Sequence, residues 1–148
     1  MADIVETKWL RPMNWDGFTP LGSGYKYVSV RCTGSSDGTG ETNVVKVARQ
    51  DLALDNGVVP AQIGIKRIKY NIHGLTLVIE WDFDSSDDLV VRLNSGVSAD
   101  SSNGCMNFKE YGCLLPTGEV GTGDIVFTTT NADAGDTYDV VLDLWLKG

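Results

Sequence analysis

His73 is the only histidine in this chain of 148 residues, so Ser-His-Asp, Cys-His or histidine–metal chemistry would have to use that one ring. Its setting argues against such a role. His73-Gly74 separates two alternating runs, which suits a two-residue hairpin turn in which Gly takes positive φ without a Cβ clash. Carboxylates are plentiful, but the densest group, Asp82, Asp84, Asp87 and Asp88, sits in one short stretch, WDFDSSDDL, rather than across a cleft. Such a group could ligate a hard cation, since Ca²⁺ takes roughly six to eight oxygens. The EF-hand order fails, because Asp87 stands where Gly is needed and Leu93 where the bidentate Glu is needed. Cys32, Cys105 and Cys113 are odd in number and contain no C-x-x-C pair, so buried free thiols are expected for all three. GSGYK at 22–26 has neither the spacing nor the following helix of a phosphate loop. No catalytic, cofactor-binding or metal-binding residue is expected, and the chain reads as non-enzymatic.

The elements that would position any site are strands. Leu75, Leu77, Ile79, Trp81 and Phe83 share one face of a period-two run, with Thr76, Val78, Glu80 and Asp82 on the other. Ile68, Tyr70 and Ile72 keep the same period before the His-Gly pair, which predicts a β-hairpin with one apolar face. The last run is the cleanest: Tyr138, Val140, Leu142, Leu144 and Leu146 alternate with Asp139, Val141, Asp143, Trp145 and Lys147. Strands are predicted at 25–32, 43–49, 63–72, 75–83, 88–93, 105–108, 124–130 and 137–146, with a helical turn near 50–54. Between them lie turn formers: GSSDGTG, LDNG, SSDD, SADSSNG and NADAG. About eight short strands with polar turns predict an all-β, antiparallel β-sandwich over residues 25–148, jelly-roll-like in its eight-stranded form.

Residues 1–24 behave differently. They carry Trp9, Leu10, Met13, Trp15, Phe18 and Leu21 without a sustained period, and Pro12 and Pro20 break any regular element. Disordered tails are poor in aromatics, so this leader reads as an extended N-terminal arm that buries its rings against its own domain or a neighbour. Trp is enriched at protein interfaces because it offers a large apolar area with few rotors. Trp9, Trp15 and Phe18 of the arm, with Val141 and Trp145 on the outward face of the last strand, are therefore the expected protein-interface residues. Trp81 is expected in the core. The rival use of exposed tryptophans is stacking on sugar rings.

Net charge is −8 and unevenly spread: residues 1–73 hold nine Lys/Arg against seven Asp/Glu, and residues 74–148 hold three against thirteen. Phosphates repel such a second half, so nucleic-acid binding is not expected. No apolar run approaches the ~20 residues of a membrane span, and MADIVETKWLRP is not expected to be a signal peptide. The expected product is a soluble protein.

Three stretches carry a resemblance: Ile79-Glu80-Trp81-Asp82, then Gly123-Asp124-Ile125-Val126-Phe127-Thr128-Thr129, then Ala134-Gly135-Asp136-Thr137-Tyr138 leading into the closing aliphatic strand. Together they resemble small β-sandwich proteins encoded among the capsid and tail genes of tailed bacteriophages, over slightly more than half of the chain. Residues 1–60 show no family pattern. The resemblance implies a virion structural protein, in particular a capsid decoration (cement) protein without enzymatic activity. It would be made in the host cytoplasm and placed on the capsid surface. The implied partners are the major capsid protein and other copies of the chain, as a homotrimer, with neither nucleic acid nor membrane. A tail or fibre module that binds host-surface glycans is the alternative.

Overall fold

The computed structural model describes residues 3–10, 27–52, 59–83, 87–94, 101–108, 110, 112–117 and 121–147. Nine strands occupy these segments: β1 (Ile4–Leu10), β2 (Tyr27–Ser35), β3 (Val44–Val47), β4 (Gln62–His73), β5 (Thr76–Trp81), β6 (Asp88–Asn94), β7 (Ser101–Asn107), β8 (Ile125–Thr130) and β9 (Thr137–Lys147). A short 3₁₀ turn, Arg49–Asp51, lies close to where QDLAL predicts a helical turn. Every strand pair is antiparallel. One sheet runs β1-β2-β9-β4-β7 and the other β3-β8-β5-β6.

The two sheets share one core, as the period-two pattern requires. Val28, Val30 and Cys32 of β2, Ile68 and Ile72 of β4, and Tyr138, Val140, Leu142 and Leu144 of β9 are buried against Leu77, Ile79 and Trp81 of β5 and Phe127 of β8. Trp81 is in the core as expected, and Leu75, Leu77 and Ile79 of its run and Tyr138, Val140, Leu142, Leu144 and Leu146 of the last run are buried on one face, as their alternation predicts. In β4 the inward residues Ile65 and Ile68 are three apart, which a regular strand cannot accommodate. A bulge between Ile65 and Arg67 absorbs the extra residue and keeps Ile63, Ile65, Ile68 and Ile72 all facing the core.

Four expectations need correction. First, residues 63–83 do not form a hairpin. At the end of β4, His73 already pairs with Ser101 of β7 on one side and Thr137 of β9 on the other, so no edge remains for β5. The chain instead crosses at Gly74-Leu75 into the second sheet, where β5 lies between β6 and β8. Both arrangements bury one face of each run, so the alternation cannot distinguish them. Gly74 is needed in either case: its φ is +83°, and an added Cβ would stand 2.1 Å from Asp136 Oδ1.

Second, part of the expected arm belongs to the sheet. Ile4–Leu10 pairs residue for residue with β2, from Ile4 opposite Ser35 to Leu10 opposite Ser29. Asp3 ties its start to the next loop, with Oδ1 accepting from the Asp37 amide at 3.1 Å and the Gly40 amide at 3.3 Å. The remainder of the arm, 11–24, lies outside the described residues. Third, β7 begins at Ser101 rather than Cys105, so half of the expected SADSSNG loop is strand. This is an edge strand bonded only to β4, and its residues alternate between exposed and half-buried, which spares it the need for an apolar face. Fourth, only Cys32 is a buried thiol; Cys113 is half-buried and Cys105, facing outward from β7, is exposed.

Candidate functional site

The outer face of the five-stranded sheet carries the most polar chemistry. Arg31 grips Asp139 with two bonds, Nε to Oδ1 at 3.0 Å and Nη2 to Oδ2 at 2.7 Å. Arg67 meets Asp143 at 2.7 Å, and Ser29 Oγ donates to Asp143 Oδ1 at 2.7 Å. The basic first half and the acidic second half of the sequence thus pair across β2, β9 and β4. These pairs are solvent-facing, so each contributes under about 1 kcal/mol. Two adjoining depressions of about 550 and 530 Å³ cross this face, lined among others by His73, Ser101, Thr137, Asp139, Arg31 and Lys69.

His73 is placed here, with Nδ1 and Ser101 Oγ 2.8 Å apart. The two residues are direct cross-strand neighbours, and that register accounts for the contact. Nucleophilic catalysis would also need a third group to orient the imidazole. Asp139, a strand carboxylate that lines the same depression, is held in the Arg31 fork. The arrangement is a polar cross-strand pair on a groove floor.

The WDFDSSDDL acids point to separate tasks. Asp87 Oδ1 accepts from the Phe83 amide at 3.2 Å, and Asp88 Oδ2 accepts from the Thr117 amide and hydroxyl at 2.7 and 3.1 Å. Asp84 lies outside the described residues. Among the described residues no three His, Cys, Asp or Glu side chains converge to hold a metal ion. Asp82 and Glu80 both titrate above the usual carboxylate range, through desolvation first and then the charge of Asp87. A raised native pKa means the folded state binds protons more tightly than the unfolded chain. The stability this gives is complete below the unfolded pKa, near about 4, and is lost as pH rises through the folded value. Asp82→Asn should therefore raise the melting temperature at pH 7 and lose that advantage near about pH 4. Paired thermal melts at the two pH values check it.

The sequence reading missed a buried charge network at the β2–β9 end of the core. Lys46 Nζ meets Glu41 Oε2 at 2.6 Å, with side chains only 3% and 5% exposed. Tyr138 donates its hydroxyl to Glu41 Oε1. The Lys46 ammonium lies 5.8 Å from the Phe127 ring centroid and 5.9 Å from that of Tyr138, and these rings meet edge-on. Tyr138 reaches inward because it stands opposite Gly34, where a Cβ would lie 2.3 Å from its ring. The bulge between Val45 and Val47 turns Lys46 inward, against the alternation of VVKV. Burial pushes the adjacent Cys32 thiol up to about 11. Alkylation at pH 8 should therefore label Cys105 rapidly and Cys32 only on unfolding. Peptide mapping of a timed labelling reaction reads this out.

The resemblance motifs have structural tasks. Asp136 Oδ2 accepts from the Asp133 amide at 2.8 Å to close the 133–136 turn, and the Asp136 carbonyl accepts from the Ser36 amide. Asp124 Oδ1 accepts from the Arg49 amide at 2.7 Å, while its carbonyl receives the Asp82 amide. Ile-Glu-Trp-Asp and Gly-Asp-Ile are thus joined side by side at one end of β5 and β8.

The expected interface residues divide. Val141 and Trp145 do face outward on β9 and are half-buried, with Lys66 Nζ 5.9 Å from the Trp145 ring centroid. Trp9 sits in β1 opposite Val30, and Trp15 and Phe18 lie outside the described residues. Among the described residues the exposed large hydrophobics are Ile4, Val5, Leu10, Val45 and Leu89. All five lie on strands at the edge of a sheet, three of them on β1. Among the described residues, large apolar side chains are exposed at sheet edges rather than in a cleft.

No protein-family model, curated protein or solved structure matches the chain.

Proposed function

We propose that the protein is a virion structural protein of a tailed bacteriophage that decorates the assembled capsid and stabilises it by binding coat protein. The observation that carries this reading is the placement of exposed apolar side chains on sheet edges, with β1 offering Ile4, Val5 and Leu10. Edges offer unpaired backbone donors and acceptors beside apolar contacts, which suits docking against another protein. The strand order supports the finer jelly-roll reading. Successive strands β2 to β9 fall into the two sheets as β2-β9-β4-β7 and β3-β8-β5-β6, the double Greek-key distribution of eight strands used in viral capsid modules. Self-association is part of the proposal, and the resemblance implies a homotrimer. Binding only the assembled lattice shifts capsid stability by mass action.

The glycan-binding alternative needs an exposed aromatic platform. Of the described tryptophans, Trp81 is core and Trp145 is half-buried under Lys66, which favours the capsid reading. Mixing the purified protein with empty capsids and, separately, with immobilised host-surface glycans tests the choice. Co-sedimentation with capsids is expected; retention on glycans without capsid binding overturns the proposal.

A further inference from the structure

β1 is an unusual edge. Natural proteins blunt edge strands with Pro, bulges, short length or charged side chains, lysine above all. In the other edge strands, β3 carries a bulge, β6 carries one against β5, and β7 holds Gly104 and polar residues. β1 has neither break nor bulge: Ile4–Leu10 contains no Pro or Gly, its seven pairs with β2 run without a register shift, and its only charges, Glu6 and Lys8, are of opposite sign. Its one lysine, Lys8, lies 3.2 Å from Glu6, and both side chains are well exposed. Among the described residues β1 has no neighbour on its far side, and every residue of it whose burial is described is exposed.

The seven residues are also self-complementary. Turned antiparallel on itself about Thr7, the sequence Ile-Val-Glu-Thr-Lys-Trp-Leu places Ile4 opposite Leu10, Val5 opposite Trp9, and Glu6 opposite Lys8. Ile4, Glu6, Lys8 and Leu10 share one face, since they stand opposite the outward Arg31 and Thr33 and their neighbours in β2. Two opposite-charge pairs would therefore sit together at the centre, with an aliphatic pair at each end. Centring the pairing on Glu6 or on Lys8 instead sets like charges directly against each other, which is unfavourable. The register is thus fixed by charge.

We infer that β1 is a homodimerisation edge, in which two copies of this chain pair their β1 strands antiparallel about a two-fold axis at Thr7, joining their five-stranded sheets into one. The contact is isologous, with Glu6 of each copy meeting Lys8 of the other. It specifies a two-fold self-contact where the resemblance implies a three-fold one, and it does not depend on the virion reading. A single strand edge is a small interface, so association is concentration-dependent and strengthens where copies are held close together.

Sedimentation velocity of the full chain over a concentration series tests it, with circular dichroism confirming folding of each variant. A monomer–dimer equilibrium is expected. Glu6→Lys presents lysines to lysines across the axis, and Lys8→Glu presents acids to acids. Each variant alone should weaken dimerisation by roughly tenfold or more. An equimolar mixture of the two variants restores opposite charges at both pairs and should re-form a dimer containing one copy of each. The inference is overturned by wild-type protein that stays monomeric or forms a trimer, by single variants that dimerise as wild type does, or by a mixture that remains monomeric. Because both side chains are exposed, the variants are expected to fold.

Discussion

Glu41→Ala is expected to cost about 3–5 kcal/mol of folding stability, because it leaves the Lys46 ammonium buried without its counter-charge. The Tyr138 hydroxyl loses its acceptor in the same step. For a chain of this size the melting temperature should fall by roughly 10 °C. The cost belongs to the broken pair rather than to the loss of a favourable contact. A buried ion pair replaced whole by apolar side chains is often neutral. Glu41→Leu combined with Lys46→Met and Tyr138→Phe should therefore recover most of the loss, since the Phe127 contact with the residue 138 ring survives. Thermal melts of the single and triple variants distinguish the cases. A single variant within about 1 kcal/mol of wild type would mean that the Lys46–Glu41 pair is hydrated rather than buried.

Trp81→Ala should be of similar size, about 3–5 kcal/mol, from lost transfer energy and the cavity left between the sheets. Trp81 also donates Nε1–H to the Ile63 carbonyl at 2.8 Å, tying the end of β5 in one sheet to the start of β4 in the other. Trp81→Phe fills part of the volume and leaves that carbonyl without its donor, for a cost of about 1–3 kcal/mol. Chemical denaturation of the two variants separates the packing contribution from the hydrogen bond. If Phe and Ala cost the same, the bond rather than the volume dominates.

The alternation along β5 and β9 made their inward faces legible, from Leu77 to Trp81 and from Tyr138 to Leu146, and with them the all-β class. Pairing was not legible. Nothing local to residues 63–83 says whether the second run lies beside the first or across the core from it. That depends on β7 and β9 having already taken both edges of β4. β1 was obscured by the aromatic, Pro-broken residues that follow it, although Val5, Thr7 and Trp9 already alternate with Glu6 and Lys8. The buried network was invisible because it depends on a bulge that turns Lys46 inward and on Gly34 making room for the Tyr138 ring. Such features are set by tertiary register, which a period of two does not encode. The outward placement of Val141 and Trp145 was legible for the same reason that the core was.

Purified virions offer the most direct test of the central claim, that this chain is a structural component of the capsid surface. Quantitative mass spectrometry should find its peptides in a fixed proportion to those of the major capsid protein, and mild protease treatment of intact particles should remove them. Their absence from virions, or a yield matching the few copies of a tail component, would contradict the account.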